Sequence, residues 1–203
     1  AALADDVLRP APPRWFADAL IGGLITPLVL ESNSKDITAW LVYSSMILAC
    51  ACALYYWQRW SLLLYVAAAA GYIIASIATG TQNNQSLVVQ TFIFVMLGLF
   101  WLMPLLRTWR NGQPPANGTA RHWGLNVLFL WQIPYAMLLS AQYHDFEGPI
   151  WGRVLLSVAA ILAAIAAAIW RASALRPFTW SHTALAGAFF AVGVGLVSES
   201  WAW

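Results

Sequence analysis

One polar interruption constrains this chain more than anything else in it. RTWRNGQPPANGTAR, Arg107 to Arg121, sits between two long apolar segments. It carries three arginines, no acid, two adjacent prolines and two glycines. Prolines and glycines at that density break regular hydrogen bonding, and unpaired backbone groups are too costly to leave in hydrocarbon. The stretch therefore reads as a loop in water. Its positive charge then says which face of a membrane it occupies, because cytoplasmic loops carry the excess of Lys and Arg.

Composition closes off the soluble classes. Of 203 residues, 61% are hydrophobic and 9% charged, with a mean hydropathy of +0.67. A soluble domain carries roughly 25% charged residues. The formal net charge is only +2, and no basic helix face appears, so nucleic acid is excluded as a partner. Cys50 and Cys52 lie two apart in an apolar segment. On a helix that spacing turns them to different faces, which disfavours a disulfide or a shared metal. The opening AALADDVLRPAPPRW lacks the basic start, apolar core and cleavage site of a secretory signal. Without an initiator Met it reads as a processed chain or a piece of something longer.

Seven apolar segments follow, at about 15–30, 37–57, 60–79, 87–106, 122–140, 150–170 and 182–197. Crossing a bilayer takes roughly 20 residues, so the first is short. Only QRW separates the second and third, which predicts a tight antiparallel hairpin. The fold expected is an all-α polytopic transmembrane bundle, with seven spans as first choice and six as second. It forms one helical domain over 1–203.

Let each segment cross once. The side of the N-terminus then holds Arg9, Arg14, Arg59, Arg107, Arg110, Arg121, Arg171 and Arg176, eight of the ten basic residues. Only Lys35 and Arg153 fall opposite. This places the N-terminus in the cytoplasm and the C-terminus outside, in a bacterial inner membrane. Tryptophans sit near both sets of loops, Trp15, Trp57, Trp60, Trp109, Trp123, Trp170 and Trp180 on one side and Trp40, Trp151, Trp201 and Trp203 on the other. Such belts are what indoles form at membrane interfaces.

Several residues carry a specific resemblance. Gly22, Gly23, Thr26, Pro27 and Leu30 are followed by Ser32 to Ser34, then a helix, then Arg59, Trp60 and Leu62. This order resembles the large bacterial multi-pass family described only as predicted membrane protein, domain of unknown function 2339. The closing HTALAGAFFAVGVGLVSESWAW is similar to that family's recurring apolar helix ending on a Trp-containing outer turn. The resemblance implies a multi-span fold and a portion of a longer protein. It implies no catalytic residue.

Each polar residue near the membrane layer has two readings. Asp18 can pair with Arg14 one turn before it, or serve as an intramembrane carboxylate for a proton or ligand. Gly22, Gly23, Thr26 and Pro27 make the first segment either a close-packing helix or a broken one of the kind that lines transporter sites. His144, Asp145 and Glu147 are the densest titratable cluster, readable as a solvated loop or as a weak metal or proton-relay site. Gln90, Asn126 and Gln132 suit interhelical hydrogen bonds or a pore lining. His122 and His182 fall at helix ends.

Small residues recur along 150–170 (Ala159, Ala160, Ala163, Ala164, Ala167) and 182–197 (Ala184, Gly187, Ala188, Ala191, Gly193, Gly195). They read as packing faces within the chain, or as docking faces for other membrane subunits. The sequence has no phosphate loop, HExxH or GxSxG, and no lysine inside a span. No cofactor is expected; bound lipid is. The function expected is a non-enzymatic structural or assembly subunit, or a membrane module of a larger protein. A transporter or channel-like protein is the alternative, and a membrane enzyme using the His144 loop the third.

Overall fold

The computed structural model describes residues 19, 22, 23, 25, 26, 37–58, 61–80, 86–110, 119–144 and 146–199. All regular structure among them is helical. Six long helices follow in order: α1 (Ile37–Gln58), α2 (Ser61–Gly80), α3 (Ser86–Arg110), α4 (Thr119–Ala141), α5 (Gly148–Arg171) and α6 (Thr179–Glu199). A 3₁₀ turn, Arg176–Phe178, leads into α6. All six are long and apolar enough to cross a membrane. The predicted first span at 15–30 lies largely outside the described residues.

Several hydroxyl groups inside these helices are satisfied locally, as an apolar surrounding favours. Ser44 donates to Trp40 O at 2.8 Å, Ser76 to Tyr72 O at 2.7 Å, Thr79 to Ala75 O at 2.8 Å and Ser157 to Arg153 O at 2.9 Å. Each bond reaches back one turn, so the hydroxyl adds no unpaired group to the apolar layer. Pro104 and Pro134 lie inside α3 and α4 without ending them.

Two compact units divide the chain. The first contains α1, α2, α3 as far as Pro104, and residues 136–140 of α4. Here α1 packs on α2, as the short QRW connection requires. A Cβ built on Gly71 would lie 3.4 Å from Leu48 Cδ1 and would overlap the Met96 methyl group. The buried centre includes Leu48, Tyr55, Leu64, Ile74, Ile93 and Phe100. Cys52 is buried and Cys50 exposed, facing different ways as their spacing predicts.

Trp40 departs from the expected interfacial belt. It is 4% exposed and belongs to the core. An indole near a helix end packs inward when neighbouring helices offer a surface, because burying it gains more than half-exposure does. Trp109, Trp123, Trp170 and Trp180 remain exposed, as belt residues should.

The second unit contains residues 105–135 and 141–203. Its centre is the close pair α5 and α6. The 171–181 stretch, read from the sequence as a loop, is mostly ordered backbone: α5 runs to Arg171, and α6 starts at Thr179. The Arg107–Arg121 loop is likewise shorter than its composition suggests. Helix α3 continues to Arg110, and α4 begins at Thr119. Arg107 is only 2% exposed, in the last turn of α3. A cation there is stabilised by the carbonyl end of the helix dipole, and the arginine stem buries apolar area.

Candidate functional site

Three buried polar residues of the second unit, Asn126, Ser181 and His182, meet where the 3₁₀ turn enters α6. Pro177, at the start of that turn, has no N–H to offer, and its fixed φ suits a tight helical entry. Phe178 then points inward and is fully buried. Its ring meets Phe129 of α4 edge-on at 5.7 Å, and the His182 ring lies 5.4 Å from Phe129. Around this aromatic knot the polar groups serve two carbonyls. Asn126 Nδ2 donates to Pro177 O at 3.1 Å. Ser181 Oγ donates to Phe178 O at 2.9 Å. His182 Nδ1 lies 2.9 Å from the same oxygen. A carbonyl only accepts, so Nδ1 carries the proton.

That proton placement decides what the Ser181–His182 pair can do. Ser181 Oγ and His182 Nδ1 are 3.4 Å apart and both fully buried. A serine nucleophile needs a neighbouring base nitrogen with a free lone pair. Nδ1 has none, and the serine proton is directed at Phe178 O. The cluster anchors the start of α6 and is not a nucleophile–base pair. Sequence reasoning placed His182 at a helix end and passed over Ser181. The available signal was Phe178 three and four residues before two adjacent polar residues, which is the spacing of backbonding to a first-turn carbonyl.

A groove flanks this anchor between α5 and α6. Its volume is about 520 Å³, and its lining includes Ala163, Ala167, Trp170, Arg171, Thr179 and Thr183. The Arg176 guanidinium lies over the Trp170 ring, 5.0 Å from its centroid.

The remaining sequence-predicted residues are dispersed. Asp18, Pro27 and Asp145 lie outside the described residues. Gly22, Gly23 and Thr26 are helical, and Thr26 Oγ1 donates to Gly22 O at 2.6 Å. Gln90 is half-buried in the first unit, whereas Asn126 and Gln132 are fully buried members of the second. His144 stacks on Phe146 with centroids 4.8 Å apart, and Trp151 closes the cluster at 6.4 Å from the His144 ring. Glu147 caps α5 through its carbonyl, which accepts from Ile150 and Trp151 at 3.0 and 3.1 Å, while its side chain makes no capping bond. Among the described residues no three His, Cys, Asp or Glu side chains come together.

No curated protein matches the chain, and no solved structure does. The family model described as Predicted membrane protein (DUF2339) matches residues 17–203. That match covers the anchor at the start of α6, the groove and all six apolar helices, and the chain belongs to this family of multi-pass membrane proteins.

Proposed function

We propose that the chain is a non-enzymatic structural or assembly module, docking through α6 onto other helices of a larger membrane protein or complex. The observation that carries this reading is a stripe of small residues along α6. Ala184, Gly187, Ala188, Ala191 and Gly195 all lie exposed. A Cβ added at Gly187 or Gly195 would meet nothing within 4 Å. At 100° per residue the stripe lies roughly opposite Gly193, which faces α5. Transmembrane helices approach one another through such faces, because small side chains let backbones come close.

The same reading sets the chain in a bacterial inner membrane with seven crossings, the N-terminus inside and the C-terminus outside. The eight-to-two division of its ten basic residues supports it. Arg107, Arg110, Arg171 and Arg176 then share the cytoplasmic face.

A photo-crosslinking residue at Ala188, in cells expressing the chain, tests the docking face against the same residue at Ile161, an exposed large position on α5. Protein adducts at position 188, lost on Gly187→Leu, are expected. Adducts to lipid alone at both positions would defeat the proposal.

A further inference from the structure

The groove between α5 and α6 lies on a different face of α6 from the small-residue stripe, and its chemistry points to a different occupant. Its walls are alanines and its volume, about 520 Å³, falls within the ~300–1,000 Å³ of ligand-binding clefts. It extends along α5 from Ala163 to Arg171, about 12 Å at 1.5 Å per residue. One end is polar. Arg171 lines it there, together with Trp170 and the hydroxyl-bearing Thr179. Arg176 adds a second guanidinium over the Trp170 ring.

Two further observations separate this end from an ordinary interfacial rim. The described acids of the second unit, Glu147 and Glu199, belong to the opposite ends of α5 and α6. No carboxylate among the described residues of the helix pair therefore balances the two arginines. In addition, Thr179 Oγ1 is buried and has no hydrogen-bond partner, although neighbouring Thr183 donates to Thr179 O at 2.9 Å. A buried hydroxyl without a partner costs stability, and a χ1 rotation that turned it toward the groove would let a ligand oxygen satisfy it.

An apolar trough with a cationic, hydroxyl-bearing mouth is complementary to an acyl chain under an anionic headgroup. Basic pockets between transmembrane helices bind such headgroups, and Trp170 marks the mouth as headgroup level. We propose that this groove is a binding site for an anionic phospholipid, one acyl chain lying along Ala163 and Ala167 and the phosphate held at Arg171. The inference stands apart from the docking role assigned to α6.

The test uses the full chain, assembled in discs of phosphatidylcholine with a minor share of phosphatidylglycerol, with retained lipids read by native mass spectrometry. Preferential retention of phosphatidylglycerol is expected. Arg171→Gln should lower the ratio of retained phosphatidylglycerol to phosphatidylcholine by about fivefold, the effect of one basic residue at an anionic surface. Ala163→Phe, which fills the trough at an exposed position, should lower retention of both lipids, while Ala160→Phe outside it should not. Thermal unfolding of each variant confirms that the helix pair is intact. Retention of the two lipids in the proportion they have in the disc, by the unmodified chain, overturns the proposal. So does an Arg171→Gln ratio that does not change. A crosslinker at Ala167 that captures a second copy of the chain instead of lipid overturns it as well.

Discussion

Gly152 of α5 and Gly193 of α6 meet backbone to backbone. A Cβ added at Gly152 would fall 2.9 Å from Gly193 O and 2.7 Å from Val197 Cγ2. One added at Gly193 would fall 3.0 Å from Gly152 O and 3.0 Å from Leu156 Cγ. In lipid, helix association gains little from hiding apolar area, so the approach distance of the backbones carries much of the attraction. The reciprocal contact therefore fixes the register of the pair.

Gly152→Ala should destabilise the folded chain by about 1–3 kcal/mol, the usual cost of overpacking. The obstructing atoms are backbone as well as side chain, so relief requires the helices to part. Reversible unfolding in mixed detergent measures it. Gly187→Ala is the control, and it should be neutral, because its added Cβ meets nothing within 4 Å. Equal losses for the two variants would remove the special status of the Gly152–Gly193 contact.

Gly71→Ala should cost less than Gly152→Ala, although its added methyl also overlaps a neighbour. The overlapped atom is the terminal methyl group of Met96, with Leu48 Cδ1 at an ordinary 3.4 Å. An unbranched thioether can change rotamer to make room. The same unfolding assay ranks the two. A larger loss at Gly71 would mean that Met96 is held where it is.

Asn126→Leu removes the donor to Pro177 O and should cost about 0.6–1.5 kcal/mol, the range for one hydrogen bond in a membrane protein. The loss should appear locally, as faster hydrogen exchange at the start of α6. If exchange there stays unchanged, the Asn126–Pro177 bond does not anchor the 3₁₀ turn.

Membrane orientation is checked by cysteine labelling after Cys50 and Cys52 are replaced by alanine. Asn117→Cys should resist an impermeant thiol reagent applied from outside, and Ser200→Cys should react. Labelling of position 117 from outside would invert the proposed topology, because the basic loop would then lie on the wrong face.

The helices themselves were legible from the sequence. Hydropathy is a local property, summed over a window about as long as the bilayer is thick. The segments at 37–57, 60–79 and 150–170 accordingly lie within a few residues of α1, α2 and α5. Helix ends were less legible at Arg107 and Thr179, where polar composition suggested a loop. At Arg107 a long cationic stem suits the carbonyl terminus of the helix, and before Thr179 the Arg176–Phe178 3₁₀ turn runs directly into α6.

Which side of each helix faces its neighbour was decided only by the tertiary structure. Gly187, Gly193 and Gly195 are the same residue on one helix, yet Gly193 abuts Gly152 and the other two stand open. Asn126 and Gln90 looked equivalent, yet Asn126 is buried against Pro177 O while Gln90 is only half-buried. In water, an apolar stripe would have declared the inner face of each helix. In hydrocarbon both faces are apolar, so hydrophobic patterning carries no such mark. Shape complementarity between particular small residues chooses the face, and that is a property of two helices together.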